Sequence, residues 1–232
     1  MGTLVSTLIT RARTRINETS TTFHTEANLI AYADEGQKYA VRETKCLEDI
    51  DTATVIVSGT QNYAIPTDYI AIRRIIFDGK KLFKIDFEEI DEAELDEADL
   101  TGTPTEYYIW NDYIYLLPIP GSSDVGKTLK IFYYKSPVTI DASTDTLETK
   151  EVYDDAIICY MTYLALVKDS ESDLSNLDKA DYMMSECNAK LMSIKNQIKE
   201  KDLSAQPRRI LSENIKSRDP LYNSRSFRRR NG

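Results

Sequence analysis

Histidine occurs once in the 232 residues, at position 24. A metal site with several histidine ligands is therefore excluded, and a Ser-His-Asp relay could be built on no other histidine. The three cysteines, Cys46, Cys159 and Cys187, are far apart and lie inside helical patterns. That usage suits a reducing compartment and core packing, and none has a histidine or basic cluster beside it to make a reactive thiolate. The longest uncharged apolar stretch, Ala156 to Val167, is well short of the roughly 20 residues a membrane span needs, and it reads as a buried helix. The N-terminus has no basic region followed by an apolar run, so no secretory signal is expected, and the chain reads as made and kept in a cytoplasm. One tryptophan stands against 15 tyrosines, an amphipathic aromatic content common in strands and at contact surfaces.

The composition is that of a folded soluble protein, with 41% hydrophobic and 29% charged residues, and a chain of this length can bury a real core. Its charge is unevenly placed. Residues 206–232 hold eight cations against only Glu213 and Asp219, a net +6, so with −9 overall the preceding 205 residues carry −15. An acidic body with a basic end predicts an interaction arm. Its candidate partner-binding residues are Arg208, Arg209, Ile210, Leu211, Lys216, Arg218, Leu221, Tyr222, Arg225, Phe227, Arg228, Arg229 and Arg230. Arginine forks suit carboxylate partners, and the interspersed apolar residues suit interface pockets. The segment is too polar to build a core, and it is expected to order on binding.

Hydrophobic period divides the chain into three. Leu4, Leu8, Ala12 and Ile16 recur every four residues and predict a helix over about 3–17. Thr25 offers an N-cap for a second helix from Glu26 to about Leu47, with Leu29, Ala33, Ala40 and Leu47 inward. The middle then turns to strands. Thr54–Val57 and Asn62–Ile65 read as one hairpin, and Ile72–Phe77 leads through Asp78-Gly79 into Lys81–Ile85. Tyr107–Trp110 and Tyr113–Leu117 flank Asn111-Asp112, and Leu129–Tyr134 adds a further strand. Helical spacing returns with Glu151–Lys168, apolar nearly all round, and a long helix from about Asp173 to Lys201. Its stripe is Leu177, Ala180, Met184, Cys187, Leu191, Ile194 and Ile198. The expected fold is α+β. About four helices form an up-and-down bundle from residues 1–50 and 147–203, a small antiparallel β unit is inserted at 51–146, and an extended arm covers 204–232.

Several motifs imitate chemistry. Residues 121–128 match the nucleotide-binding P-loop pattern letter for letter, but Leu129–Tyr134 after them alternates like a strand, and the loop needs a helix there to hold phosphates. A hairpin loop is the reading, not a nucleotide-hydrolysing enzyme. Gly2 to Ser6 fits a myristoylation pattern and Asn17 to Thr19 a glycosylation acceptor, with no membrane or secretory context for either. Asp86, Glu88, Glu89, Asp91, Glu92, Glu94, Asp96, Glu97 and Asp99 form an acidic run without the alternation and turn glycine of a calcium loop, so it reads as a solvated face. No catalytic constellation remains: the expectation is a structural protein, not an enzyme, with no cofactor and no metal. The competing reading is a nucleic-acid-binding protein using the arginine-rich end, whose affinity would fall steeply with salt.

The segments Ala31 to Tyr39, Tyr63 to Gly79, Gly102 to Tyr107, Leu117-Pro118, Tyr133 to Pro137 and Tyr153 to Asp155, in this order and flanked by helices, carry a resemblance. Over residues 3–200 the chain resembles the head-to-tail adaptors of short-tailed bacteriophages, the tail tubular protein A or ring proteins, with the ring proteins of the crAss-like phages among the candidate matches. The acidic run at 86–99 departs from the usual pattern. The resemblance implies a virion protein made in the host cytoplasm, of which twelve copies form a ring. Its partners would be the portal protein above, neighbouring copies at the sides and a tail or nozzle protein below. DNA would pass through the channel without sequence-specific binding, and the C-terminal arm would reach the portal or a neighbouring subunit.

Overall fold

Helix formation follows the 3.6-residue period wherever the buried residues keep it. In the computed structural model, which describes residues 2–18, 23–90, 101–169 and 175–205, helix α1 spans Val5–Arg15 and buries Val5, Leu8, Ile9 and Ala12 on one stripe. Arg13 and Arg15 in its last turn complement the carbonyl end of the helix. Leu4, expected on the inner stripe, instead precedes the helix, is half exposed and bridges Thr146. Helix α2 spans Glu26–Thr44, and its N-cap is Thr25, whose hydroxyl accepts from Asn28 N at 3.3 Å. It ends three residues earlier than the sequence predicts, because Lys45 takes a left-handed conformation (φ 54°) that turns the chain into a strand.

That strand, β1 (Glu48–Asp51), was not legible in the sequence. The others are β2 (Asn62–Ala64), β3 (Tyr69–Phe77), β4 (Lys80–Lys81), β5 (Phe83–Lys84), β6 (Thr101–Gly102), β7 (Glu106–Trp110), β8 (Tyr113–Leu117), β9 (Ile119–Pro120) and β10 (Leu129–Lys135). They make a sheet in the order β1-β10-β3-β4, a second in the order β2-β8-β7-β5, and a two-stranded β6-β9 pair. Pairing is antiparallel except for β5 with β7 and β6 with β9.

The single hairpin expected from 54–57 and 62–65 does not form. Val55 bridges Thr128 beside the first sheet, while β2 pairs with β8 in the second. The two arms serve different sheets, and the Tyr63 hydroxyl holds the loop between them, accepting from Val57 N at 3.2 Å and donating to Thr60 O at 3.0 Å. The expected strand Lys81–Ile85 is likewise divided, with buried Leu82 as the pivot between β4 and β5. Asp78-Gly79 and Asn111-Asp112 make tight turns, all four residues at positive φ, as two-residue hairpin connections demand. The acidic run begins in a 3-10 turn, Phe87–Glu89, and its residues 91–99 lie outside the described ones.

A second 3-10 turn, Glu151–Tyr153, leads into α3 (Asp154–Asp169). This helix buries residues on most of its circumference, including Ile157, Ile158, Cys159 and Met161. Helix α4 spans Ser175–Ala205. It buries Ala180, Cys187, Leu191 and Ile194 of its predicted stripe, but Leu177 and Ile198 are exposed. The chain divides after Ile194 into two units, and the second contributes only the end of α4 to the described residues.

Within residues 1–194 the apolar side chains gather in two clusters. The helical one joins Leu8 of α1, Leu29 of α2, Ile157 of α3 and Leu191 of α4. The other lies between the inward faces of the two larger sheets, where Ile75, Phe77 and Ile131 meet Tyr107, Ile114 and Leu116.

Candidate assembly interfaces

The residues that carried the resemblance act as joints. In α2, Gln37 is fully buried: its Oε1 accepts from Glu148 N at 2.8 Å, and its Nε2 donates to Val138 O at 3.4 Å. Asp34, one turn earlier, accepts from Ile140 N at 3.0 Å and from Lys38 Nζ at 2.6 Å. Two helix side chains thus satisfy the backbone of the 138–148 segment, which would otherwise bury unpaired polar groups. Gly36 stands between them because a Cβ there would come within 3.1 Å of Ile157 Cγ2. Asp68 accepts from the Tyr133 hydroxyl at 3.1 Å and, through its carbonyl, from Ser136 N at 2.6 Å. Burial, reinforced by that carboxylate, pushes the Tyr133 phenol up to about 12. The sequence suggested an inner face for α2 made of apolar residues alone; the buried Asp34 and Gln37 were missed because their partners lie 101 to 111 positions away.

The segments with enzyme-like or modification patterns are held in structural roles. Gly121 to Thr128 contains a 3-10 turn, Ser122–Asp124, and then enters β10 rather than a helix. Lys127 is 2.8 Å from buried Asp124 and 3.1 Å from Asp78; these hydrogen bonds raise its pKa, and its ammonium lies 5.6 Å from the Phe77 ring. The amides of Gly121, Asp124, Gly126 and Lys127, which a phosphate cradle would turn to its ligand, donate instead to the carbonyls of Gly102, Gly121, Ile56 and Asp124. Gly2 packs against Leu147 so closely that a Cβ would meet its carbonyl oxygen at 1.7 Å, and residues 3–6 bond to the backbone of 143–147. His24 is buried, its Nε2 3.2 Å from Asp169 and its backbone tied to Arg13 and Glu18. Burial raises all three cysteine thiols, Cys187 to about 12. Among the described residues no cluster of His, Cys, Asp or Glu could hold a metal, and no helix is long and apolar enough to cross a membrane.

What the sheets present outward is different. By the alternation of side chains, the second sheet turns Glu106, Tyr108 and Trp110 of β7, and Tyr113 and Tyr115 of β8, away from its core. Three of these rings, Tyr108, Trp110 and Tyr115, join Phe87 in one run of ring contacts. Phe87 lies 4.5 Å from Trp110 and 5.6 Å from Tyr108, and Tyr108 lies 4.8 Å from Tyr115 at 9°. Trp110 stays 53% exposed and Tyr113 40%. The outer face of the first sheet carries Ile50, Arg74, Ile76, Lys130 and Phe132. A β-bulge opposite Phe132 and Tyr133 adds Arg73 to that side, where it pairs with Glu48 at 2.5 Å, while Arg74 lies 4.4 Å over the Phe132 ring. A cleft between these groups is lined by Glu48, Asp49, Ile50, Arg73, Arg74, Phe132 and Tyr133.

The model of the SU10 adaptor protein family matches residues 3–210, which include all four helices and every strand among the described residues. The chain belongs to this bacteriophage adaptor family. No curated protein matches the sequence. Membership of the SU10 adaptor family makes the protein a structural component of a phage virion, in agreement with the head-to-tail adaptor resemblance. The match reaches Arg208, Arg209 and Ile210 of the predicted partner-binding residues. Those three, together with Leu211, Lys216, Arg218, Leu221, Tyr222, Arg225, Phe227, Arg228, Arg229 and Arg230, lie outside the described residues. The two outer sheet faces were missed by sequence reasoning. The available signal was the parity of Tyr108, Trp110, Tyr113 and Tyr115 around a two-residue turn, and the unusual Arg73-Arg74 pair inside an apolar strand.

Proposed function

We propose that this adaptor forms a ring of twelve copies between the portal and the tail, around the channel through which DNA passes, and that it catalyses no reaction. The single observation that carries the reading is the family match over residues 3–210. The helices at 1–50 and 147–203 are the bundle of each subunit, the 51–146 region its inserted β unit, and 204–232 an arm that reaches the portal. The arm's arginines meet portal carboxylates, with Leu221, Tyr222 and Phe227 as apolar anchors. A tail or nozzle protein docks below, and assembly takes place in the host cytoplasm. A body at −15 suits a channel wall that must not grip the DNA.

The test is electron microscopy of the portal ring mixed with the full chain, alongside a chain lacking 206–232. The expected result is a ring of density under the portal with the full chain and none with the truncated one, although both have the same helical circular dichroism. No density with well-folded full-length protein overturns the adaptor ring. Equal density with the truncated chain overturns the role of the arm alone.

A further inference from the structure

The two outer faces of the β unit differ in chemistry and lie on opposite sides of one core. One is aromatic with carboxylates around it: Trp110, Phe87 and Tyr113 are flanked by exposed Asp86, Glu88 and Glu106. The other is cationic around apolar groups, with exposed Arg73, Arg74 and Lys130 beside Phe132 and Ile50. Two carboxylates also line the cleft, Glu48, which Arg73 pairs, and Asp49, so the net cationic character of this face rests on Arg74 and Lys130. We propose that these faces are the two halves of one contact between copies, the aromatic–acidic face of each subunit seating on the cationic face of the next. The inference rests on the ring reading above and supplies its lateral interface.

Three observations carry it. An exposed tryptophan within a pre-stacked aromatic cluster is surface that soluble proteins cover with a partner. Here the partner's chemistry is fixed by the carboxylates, which call for cations, and by the rings, which call for guanidinium planes and apolar groups. The same chain supplies that surface on its opposite face, so the occupant is a second copy. Because the faces are unlike, the contact is head-to-tail: each copy uses both faces at once, and the series closes into a ring when the rotation permits. The ring contacts from Trp110 through Phe87 and Tyr108 to Tyr115 are already made within one subunit, which lowers the ordering cost of the contact.

The experiment uses the full chain at about 0.15 M salt, where long-range repulsion between acidic bodies is screened. Trp110 is the only tryptophan, so its emission reports on this face directly. With rising concentration, up to about 1 mM, the weakest association one such contact would give, sedimentation velocity should show growing mass and the emission should move to shorter wavelength. One variant, Arg74→Glu with Lys130→Glu, breaks the cationic face, and a second, Trp110→Ser with Glu106→Lys, breaks the aromatic face. Each alone should self-associate at least about tenfold more weakly. Their mixture should form a heterodimer that grows no further, since it holds one intact half of each kind.

A parent chain that stays monomeric throughout, or variants that associate as the parent does, or a mixture that stays monomeric, overturns the interface. Should circular dichroism show either variant unfolded, Arg74→Gln and Tyr113→Ser take their places with the same outcomes. Loss of this interface leaves the ring reading to the portal imaging, which decides it independently.

Discussion

At the scale of single residues, the buried polar groups define how the protein is joined. Asp154 opens α3 and is almost completely buried; its Oδ2 accepts from the Thr3 hydroxyl at 2.5 Å, and its Oδ1 has no hydrogen-bond partner. Desolvation raises its carboxyl above the usual 3.8, against the opposing hydrogen bond from Thr3 and the charge of Arg11. An acid whose folded pKa is raised binds its proton more tightly in the native state than in the unfolded one. Its contribution therefore favours the fold at low pH and is lost as pH rises from about 3.8 through the folded value. Asp154→Asn keeps an acceptor for Thr3 without a charge to desolvate. The expected outcome is that the variant is at least as stable as the parent at pH 7, with a flatter stability profile above pH 4. Urea midpoints measured across that range check it, and a variant clearly less stable at pH 7 would show that the carboxylate is stabilising where it stands. The sequence shows an aspartate at a helix start, a common N-terminal choice. It could not show that Thr3, 151 positions away, closes over it.

At the scale of elements, local chemistry was read well where it acts locally. The helix stripes, the Thr25 cap and the turns at Asp78-Gly79 and Asn111-Asp112 all depend on neighbours within a few positions. Gly79 gives a direct check of that claim. Its φ is +76°, and a Cβ would meet nothing within 4 Å, so substitution by alanine costs only the left-handed backbone penalty. Gly79→Ala is expected to lower stability by about 1 to 2 kcal/mol with no change in the β3–β4 register. Chemical denaturation measures the first, and amide exchange of Leu82, whose N–H bonds to Ile75 O at 3.0 Å, the second. A loss well above that range would mean that the turn also serves another contact. Elements that depend on distant partners were misread. Glu48–Asp51 has the composition of a polar loop and becomes a strand only because β10 offers it a ladder. The 54–65 stretch looks like one hairpin and is two arms committed to two sheets.

At the scale of the whole molecule, the uneven charge sets the behaviour toward DNA. With −15 on the first 205 residues and +6 on the last 27, the net charge of the body should repel nucleic acid and that of the last segment should attract it. In gel shifts, the full chain is expected to retain DNA at low salt and release it near 0.15 M, while a chain lacking 206–232 binds at neither. Retention at physiological salt that disappears with the truncation would instead support the nucleic-acid-binding reading of the arginine-rich end. Because that end lies outside the described residues, the candidate site legible in the sequence and the faces visible in the structure are different parts of the molecule. The sequence flags the arm because its charge contrast needs no fold to be seen. The faces of the β unit escape it because each draws on strands distant in the chain, Glu106 and Trp110 joining Phe87 on one side and Arg74 joining Lys130 on the other.

The order of the sequence by itself determined the α+β class, the four helices among the described residues, the tight turns, the strand that follows the P-loop-like stretch and the kinship with phage adaptors. Each of these is written in short-range periodicity, backbone preference or the succession of segments. Only the tertiary structure decided which strands share a sheet, which polar side chains are buried to join the helices to the 138–148 segment, and which aromatic and cationic residues face outward together. Those outcomes depend on hydrogen bonds and packing between residues far apart in the chain, and no local pattern encodes the partner.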